Sequence, residues 1–314
     1  MLTHQPVLLD EVLDALSLEQ HRDGIFVDAT FGRGGHSAAI LQRLSEHGRL
    51  IALDRDPAAI AAGREKFEGE TRLCLVHRAF AQLQAALGDA GMTEVAGRVS
   101  GVLFDLGVSS PQLDDAVRGF SFMRDGPLDM RMDNTSGISA AEWLAKISER
   151  DLQKVISEYG EERFARRIAN AIVTYRQRQP ISSTVQLAEL IEQAVPTREP
   201  GKHPATRTFQ AIRMVINTEL EQIQHALQQA VEILAPRGRL CVISFHSLED
   251  QLVKQFMQSQ SQDDPMYAGL PEIPAAKRAK LKRIGKAVHP GEDEVRRNPR
   301  ARSAIMRVAE RVTA

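Results

Sequence analysis

The chain has 314 residues, of which 43% are hydrophobic and 26% charged, and its formal net charge is −1 at pH 7. This length suits about two domains with ordinary apolar cores, and the balanced charge excludes attraction of nucleic acid by the overall field of the protein. No apolar run approaches the ~18 residues of a membrane span. The N-terminus has no leader pattern, and Cys74 and Cys241 lie in apolar runs, so we expect a cytoplasmic protein with reduced thiols.

Strand and helix patterns alternate over the first third of the chain. An amphipathic helix is predicted near residues 6–16. It is followed by strands at 25–28, 50–54, 72–76 and 99–105 and by helices at 38–45, 57–67 and 80–90. This alternation predicts an α/β fold with a parallel sheet and helices on both faces.

The alternation stops for roughly ninety residues. Between about 117 and 210 we expect loops and helices only. A 3.6-residue period then predicts one helix over 209–234, a buried-type strand is predicted at 239–245, and a final strand at 303–310. We therefore predict a core of residues 1–116 and 211–314, interrupted by an inserted helical, substrate-binding domain at 117–210.

A glycine-rich turn follows the first predicted strand. That strand ends in Asp28, and glycines stand at positions 32, 34 and 35 before a helical pattern begins. Glycine lets backbone approach a ligand closely, and a helix start directs free N–H groups at an anionic group. The third glycine of a dinucleotide fingerprint and the lysine of a Walker loop are both missing. The acid suits S-adenosylmethionine (SAM), whose methionine end carries an ammonium and a carboxylate; a tight structural turn is the alternative.

The second predicted strand also ends in an acid, Asp54. A carboxylate that follows a glycine-rich βα unit at about this separation accepts the hydroxyl hydrogens of a bound ribose. The alternative is a surface acid at a strand end. Asp56 and Pro57 are typical of a helix N-cap followed by proline at the first helical position.

Two further strand ends carry polar residues, where ligands collect in open α/β sheets. After Asp105, the residues Ser109 and Ser110 offer acceptors for a target amine, although the Asp/Asn-Pro-Pro-aromatic turn of many amino-group methyltransferases is absent. A merely polar loop is an equal alternative. After the strand at 239–245, we expect Ser247 to be the N-cap of a helix whose first turn carries Glu249 and Asp250. His246 either contacts substrate or lies satisfied in the interior.

Two segments have compositions that suit RNA. Residues 118–133 are rich in Phe, Met and Arg, which favours either stacking on a flipped base or a loop held to the core by its phenylalanines. Residues 277–286 and 296–302 are basic, which favours an RNA groove about as well as a solvated surface. The spacing of His and Cys fits no zinc site, so we expect no metal.

Taken together, these segments resemble the RsmH (MraW) family of bacterial ribosomal RNA methyltransferases. The matching stretches run in one order along nearly the whole chain: His4–Glu11, Thr30–Ser37, Asp54–Pro57, Asp105–Leu113, Arg118–Asp133, Gly160–Arg163, His203–Ala211, Ser244–Asp250 and Asn298–Ala304. Departures are minor: Arg237-Gly238 stands where Gly-Gly is common, and Ala301 where Ser is common.

The resemblance implies a Rossmann-like SAM-dependent methyltransferase core with an inserted helical domain. It implies methylation of N4 of a cytidine in 16S ribosomal RNA, with that RNA held in a small-subunit particle. It also implies SAM contacts for seven residues: Gly34, Gly35, His36, Asp54, Phe80, Asp105 and Gln112. Ser109, Ser110 and His246 are our candidate catalytic residues.

The expected chemistry is direct transfer of the methyl group. The N4 amine must be held in line with the sulfonium methyl while acceptors take its hydrogens. A C5 methyltransferase needs a cysteine nucleophile, and neither Cys74 nor Cys241 has the adjacent proline of such a site. Two alternatives stay open: a noncatalytic RNA-binding module on this fold, and a nicotinamide-dependent oxidoreductase.

Overall fold

A computed structural model of the protein describes residues 6–197, 199, 201, 203–267 and 272–313. Over these residues the strands are β1 (Ile25–Asp28), β2 (Arg49–Asp54), β3 (Leu73–His77), β4 (Val99–Asp105), β5 (Leu234–Ser244), β6 (Leu281–Val288) and β7 (Ile305–Arg311). The α-helices are α1 (Leu9–Ala15), α2 (Gly35–Arg43), α3 (Pro57–Lys66), α4 (Leu83–Asp89), α5 (Ser110–Asp114), α6 (Ala140–Lys146), α7 (Glu149–Glu158), α8 (Ala165–Arg176), α9 (Thr184–Ala194), α10 (Thr206–Ile216), α11 (Glu219–Ile233), α12 (Ser247–Gln260) and α13 (Glu292–Arg297). His4 and Gln5 of the first family stretch lie outside the described residues.

The strands form one sheet in the order β3-β2-β1-β4-β5-β7-β6. Strands β1 to β5 are parallel, and β7 runs antiparallel to both β5 and β6. The predicted α/β fold with a mostly parallel sheet is confirmed. Its centre is buried on both faces: Phe104 shares an apolar core with α4 and α11, and its neighbour Leu103 shares another with α1 and α2. Successive residues of a strand point to opposite faces, so one strand serves both cores.

The chain divides into two compact units, Met1–Gly107 with Leu220–Ala314, and Val108–Glu219. The second unit is therefore nine residues longer at each end than the predicted insertion at 117–210. Polar contacts at each end of this unit account for the difference. Ser109 starts a capping box at α5, and the Asn217 side chain accepts the N–H of Met132 at 2.8 Å and donates to the carbonyl of Met130 at 2.7 Å.

The second unit is helical over its described residues, with a single isolated bridge between Pro127 and Ser183. It has its own apolar core, to which α6–α10 contribute. The single helix predicted over 209–234 is wrong, because α10 ends at Ile216 and α11 starts at Glu219. Thr218 has a φ of 49° between them, and the Asn217 side chain bonds to the backbone of residues 130 and 132 at the break. The apolar residues keep the 3.6-residue spacing across the break, so the sequence pattern does not indicate it.

Two strand predictions need correction. No strand is predicted at 281–288, where β6 forms the sheet edge. Apolar Leu281 and Ile284 are three residues apart, and Gly285 has a φ of 66°, so the two-residue alternation is lost. Strand β5 begins at Leu234 and not near 239, because Arg237, with a φ of 67°, lies in an irregularity of the pairing with β4. No helix in the described part of the chain is long and apolar enough to cross a membrane.

Candidate active site

The first unit gathers three acids at one edge of its sheet. The chain turns from β1 toward β2 and β3 on one side, and β4 and β5 lie on the other, so the sheet has its switch point between β1 and β4. Asp28, Asp54 and Asp105 are the last residues of β1, β2 and β4. Ligands of open α/β sheets bind outside the carboxyl ends of strands at such a point.

Asp28 is committed to the loop that follows it. It is 1% exposed, and its carboxylate accepts the Ser37 hydroxyl at 2.6 Å and the Thr30 N–H at 3.1 Å. Burial raises the pKa of Asp28, and the bond from Ser37 works against that rise. Asp28 therefore holds the loop onto α2, whereas the sequence pattern suits a contact between this acid and SAM. The Thr30 hydroxyl accepts the Asp105 N–H at 2.6 Å, a link between β1 and β4 that sequence reasoning missed.

The glycines at the start of α2 are required by close packing. Gly34 is the N-cap with a φ of 65°, and a Cβ there would lie 2.6 Å from the Phe31 ring. A Cβ on Gly35 would lie 2.5 Å from Pro6. No side chain in the described part of the protein caps this helix. The first N–H groups of α2 and its positive dipole end are thus presented at the carboxyl edge of the sheet, where they favour an anion.

Asp54 has the geometry of a ligand acceptor that is itself held in place. One carboxylate oxygen accepts the Gly32 N–H at 2.8 Å and the other the Asp56 N–H at 2.8 Å. Each oxygen keeps further lone-pair capacity. Burial raises the pKa of Asp54 to about 6, and the two backbone bonds limit the rise. Asp56 and Pro57 cap α3 as predicted, with the Asp56 side chain accepting the Ala58 N–H.

His36 and Asp105 form a polar pair with unmet hydrogen bonds. His36 Nε2 lies 3.6 Å from Asp105 Oδ2, and His36 is 6% exposed. Neither ring nitrogen of His36, nor Asp105 Oδ1, has a hydrogen-bond partner among the described residues. Burial opposes a charge on His36, but the Asp105 carboxylate, and then Asp28 and Glu294, raise its pKa above the ordinary value. Orphaned polar atoms at a strand end indicate a place where a ligand completes the bonding.

Phe80 lies near the same edge of the first unit. It starts a 3₁₀ turn, Phe80–Gln82, after β3. Its ring meets the Phe104 ring edge-on, with centroids 5.9 Å apart and an interplanar angle of 86°. The ring is partly buried against the core, which leaves an apolar surface beside the strand ends.

His246, and not the predicted Ser247, is the N-cap of α12. The Glu249 N–H points to His246 Nδ1 at 3.4 Å, and His246 Nε2 lies 3.1 Å from Glu249 Oε1. Glu249 is fully buried and accepts the Phe245 N–H at 2.8 Å. The histidine displaces serine as the cap because its ring reaches the turn while contacting the buried acid.

Ser109, Ser110 and Gln112 lie in the second unit, around the start of α5. Ser109 and Gln112 form a reciprocal capping box. The Ser109 side chain bonds to the Gln112 backbone, and the Gln112 side chain bonds to the Ser109 backbone. The Ser109 N–H donates to Gln112 Oε1 at 3.0 Å. Ser110 and Gln112 are buried. The capping box is a local arrangement that holds Ser109 and Gln112 in fixed orientations within their unit.

Comparison with known proteins identifies the family of this chain. The model of the MraW methylase family matches residues 1–312. The chain belongs to the MraW methylase family. Proteins named ribosomal RNA small subunit methyltransferase H are similar to it over nearly their full lengths. That of Nitrosospira multiformis is 55% identical, covering 98% of this chain and 97% of its own. That of Chromohalobacter salexigens is 56% identical, covering 98% and 92%.

A solved structure of an rRNA methylase from Streptococcus thermophilus aligns with 99% of this MraW-family chain and 100% of its own, with a TM-score of 0.43 and 11% identity.

Proposed function

We propose that this protein transfers a methyl group from SAM to N4 of a cytidine in 16S ribosomal RNA. The observation that carries the proposal is the acid-and-glycine site at the carboxyl edge of the first unit, in a chain of the MraW methylase family. The names of its relatives support small-subunit ribosomal RNA as the substrate. The choice of cytosine N4 follows from the family resemblance.

The residues present fit SAM. Asp54 is fixed by two backbone N–H groups and retains lone pairs for the two ribose hydroxyls. The uncapped start of α2, at Gly34 and Gly35, suits the methionine carboxylate. Asp105 Oδ1 is a buried acceptor without a partner in the described residues, which suits the methionine ammonium. The Phe80 ring offers an apolar face for the adenine. We propose these roles for the first unit, with Gln112 as a further contact.

SAM supplies a methyl group already activated by its sulfonium. The target nitrogen is the poorer partner, because its lone pair is delocalised into the cytosine ring, and it must lose a proton as the new bond forms. Acceptors fixed in advance lower this barrier since they need no reorganisation. Ser109 and Ser110 are our candidates for that role, and the capping box keeps the Ser109 hydroxyl from rotating freely. We keep His246 as a residue that lines the amine pocket.

The cysteines favour direct transfer to nitrogen. Burial raises the pKa of Cys74 and, far more strongly, that of Cys241, which lies within β5. A thiol that resists ionisation is a poor nucleophile. Covalent attack on the cytosine ring, as C5 methylation requires, therefore has no good candidate in these two thiols.

We further propose that the second unit helps to bind the RNA, that the substrate is a small-subunit particle, and that the protein acts in the cytoplasm. The second unit has a helix, α8, with arginines at 166, 167 and 176. Isolated RNA and assembled particles, offered separately, distinguish the two forms of substrate.

The test is transfer of labelled methyl from SAM to small ribosomal subunits taken from cells that lack this protein. Wild-type protein should label the RNA, and Asp54→Ala should lose labelling at low SAM. Under saturating SAM, alanine at position 109, 110 or 246 should slow a single turnover by roughly 10- to 1000-fold for the residue that accepts the amine hydrogens. Absence of labelling by the wild type would refute the function. Three alanine variants at the wild-type rate would show that the acceptors lie elsewhere.

A further inference from the structure

Positive charge is concentrated near the end of the chain. Residues 277–302 contain ten lysines and arginines and three carboxylates, an excess of seven positive charges in a protein whose net charge is −1. The rest of the chain is therefore acidic. Such an asymmetry is typical of a local surface for a polyanion, since the overall field of the protein contributes nothing.

Part of this charge lies at the same sheet edge as the candidate active site. Ser244, at the carboxyl end of β5, pairs with Ile305, the first residue of β7. Residues 296–302, which we name the arginine segment, come just before β7 and so lie at the carboxyl edge. A second contact agrees with this position. Glu294 accepts the N–H of Leu8 at 2.8 Å, and its charge acts on His36 at the start of α2.

The arginine segment is fastened to the core, and its arginines are exposed, with Arg296 paired to Asp293. Asn298 caps the 3₁₀ turn Pro299–Ser303 by accepting the Arg300 N–H at 3.2 Å. Ala301 and Ala304 are fully buried, which fastens the turn to the core. The arginines at 296, 297, 300 and 302 are exposed. A short turn held by buried alanines presents guanidinium groups with little loss of backbone freedom on binding.

We propose that the arginine segment binds backbone phosphates of the RNA next to the nucleotide that is methylated. This inference rests on the proposed function. Guanidinium groups match phosphate oxygens in bidentate geometry, and contacts to phosphates fix the register of a nucleic acid without reading its bases. The segment thus sets where the target cytidine enters, while the strand-end residues hold the cofactor. Arg300 and Arg302 are positioning residues for the substrate.

Charges also protect exposed sheet edges from pairing with other chains, and this explains the lysines of β6. It does not explain the arginine segment, which lies outside the seven strands of the described residues. The two explanations differ in their measurable effects, because edge protection changes aggregation and phosphate binding changes the salt dependence of RNA affinity.

The experiment compares the double variant Arg300→Gln/Arg302→Gln with a matched control, Arg49→Gln/Arg98→Gln. Arg49 begins β2 and Arg98 precedes β4, so both control residues lie at the opposite edge of the same sheet. The probe is the small ribosomal subunit of cells that lack this protein, in methylation assays from low to high salt.

The arginine-segment variant should raise KM for the particle roughly 10- to 100-fold, at about tenfold for each charge-assisted hydrogen bond that is removed. It should change kcat by less than about threefold, leave the Kd for SAM alone unchanged, and flatten the slope of log affinity against log salt by about 0.7 for each phosphate that is no longer neutralised. Arg300→Lys/Arg302→Lys keeps both charges and should keep most of the slope. The control should match the wild type.

An unchanged KM and slope in the glutamine variant would overturn the proposal, as would an equal loss of affinity in the control. If the double variant does not fold, the single Arg302→Gln at an exposed position decides in the same assay. A wild-type protein that methylates no RNA would refute the proposed function instead, and a direct binding measurement with the unmodified particle would still test the arginine segment.

Discussion

Replacing Asp54 tests the cofactor site most sharply. In the proposed complex its carboxylate holds both ribose hydroxyls, and losing two hydrogen bonds to a charged group costs about 3 kcal/mol. Asp54→Ala should therefore weaken SAM binding roughly 100-fold. The matched control is Asp56→Asn, which removes a carboxylate two residues away but keeps a good N-cap for α3. Its SAM affinity should stay within about twofold of the wild type.

The pH dependence of SAM binding is a second, independent test of the role of Asp54. The pKa of Asp54 is raised from 3.8 to about 6, and only the ionised form offers both oxygens as acceptors. SAM affinity should fall by roughly fourfold at pH 5.5 and tenfold at pH 5 relative to pH 7.5, as protonation competes with the ligand. Protonation of Asp54 weakens SAM binding but stabilises the fold, because an acid with a raised pKa holds its proton more tightly in the folded protein than in the unfolded chain. The stabilising contribution of Asp54 is present below pH 3.8 and is lost as pH rises through about 6.

Calorimetry of SAM binding at three pH values measures both effects. The wild type should show the pH dependence, and Asp54→Asn should bind weakly with little change over the same range. An Asp54→Ala variant with wild-type affinity would refute the ribose assignment. So would binding by the wild type that is flat between pH 7.5 and 5.

Three other substitutions have defined outcomes. Gly34→Ala should lower stability by about 2 kcal/mol or more, since a Cβ meets Phe31 and the φ is positive, and should abolish SAM binding; a melting temperature within a degree of the wild type would contradict this. Asn217→Ala should cost about 2–4 kcal/mol in urea unfolding because it orphans buried backbone groups at 130 and 132; a loss below about 0.5 kcal/mol would mean that the segment is held by other contacts. Cys74→Ser with Cys241→Ala should leave the methylation rate within about threefold, as direct transfer needs no thiol; loss of activity in a folded double variant would point to covalent catalysis.

The elements with clear local signals could be predicted from the sequence. Strands β1, β2 and β4 are mostly apolar runs that end in an acid, which is typical of strands buried on both faces. The cap at Asp56 follows from a side chain that satisfies a first N–H group of a helix. These signals depend on neighbours in the chain and need no knowledge of the fold.

The errors arise where distant contacts decide the local structure. The break before α11 depends on Asn217 bonding to residues about 85 positions earlier, and periodicity contains no trace of that contact. The N-cap at His246 depends on the buried Glu249. Strand β6 exists because β7 pairs with it, while its own sequence is too basic and irregular to favour a strand.

The candidate site likewise has some features that local sequence predicts and others that depend on distant contacts. Asp54 and the glycines were predictable because their spacing reflects one βα unit. The commitment of Asp28 to Ser37, and the unmet bonds of His36 and Asp105, require the positions of three chain segments that meet only in the folded unit.

Nucleoside mass spectrometry of the small-subunit RNA tests the central claim most directly. Unmodified particles incubated with SAM and this protein should gain a single methyl group on cytidine, and fragmentation should identify the product as N4-methylcytidine. Particles incubated with Asp54→Ala at the same low SAM concentration should gain far less. A 5-methylcytidine product, or a methyl group on another nucleoside, would contradict direct transfer to the cytosine amine.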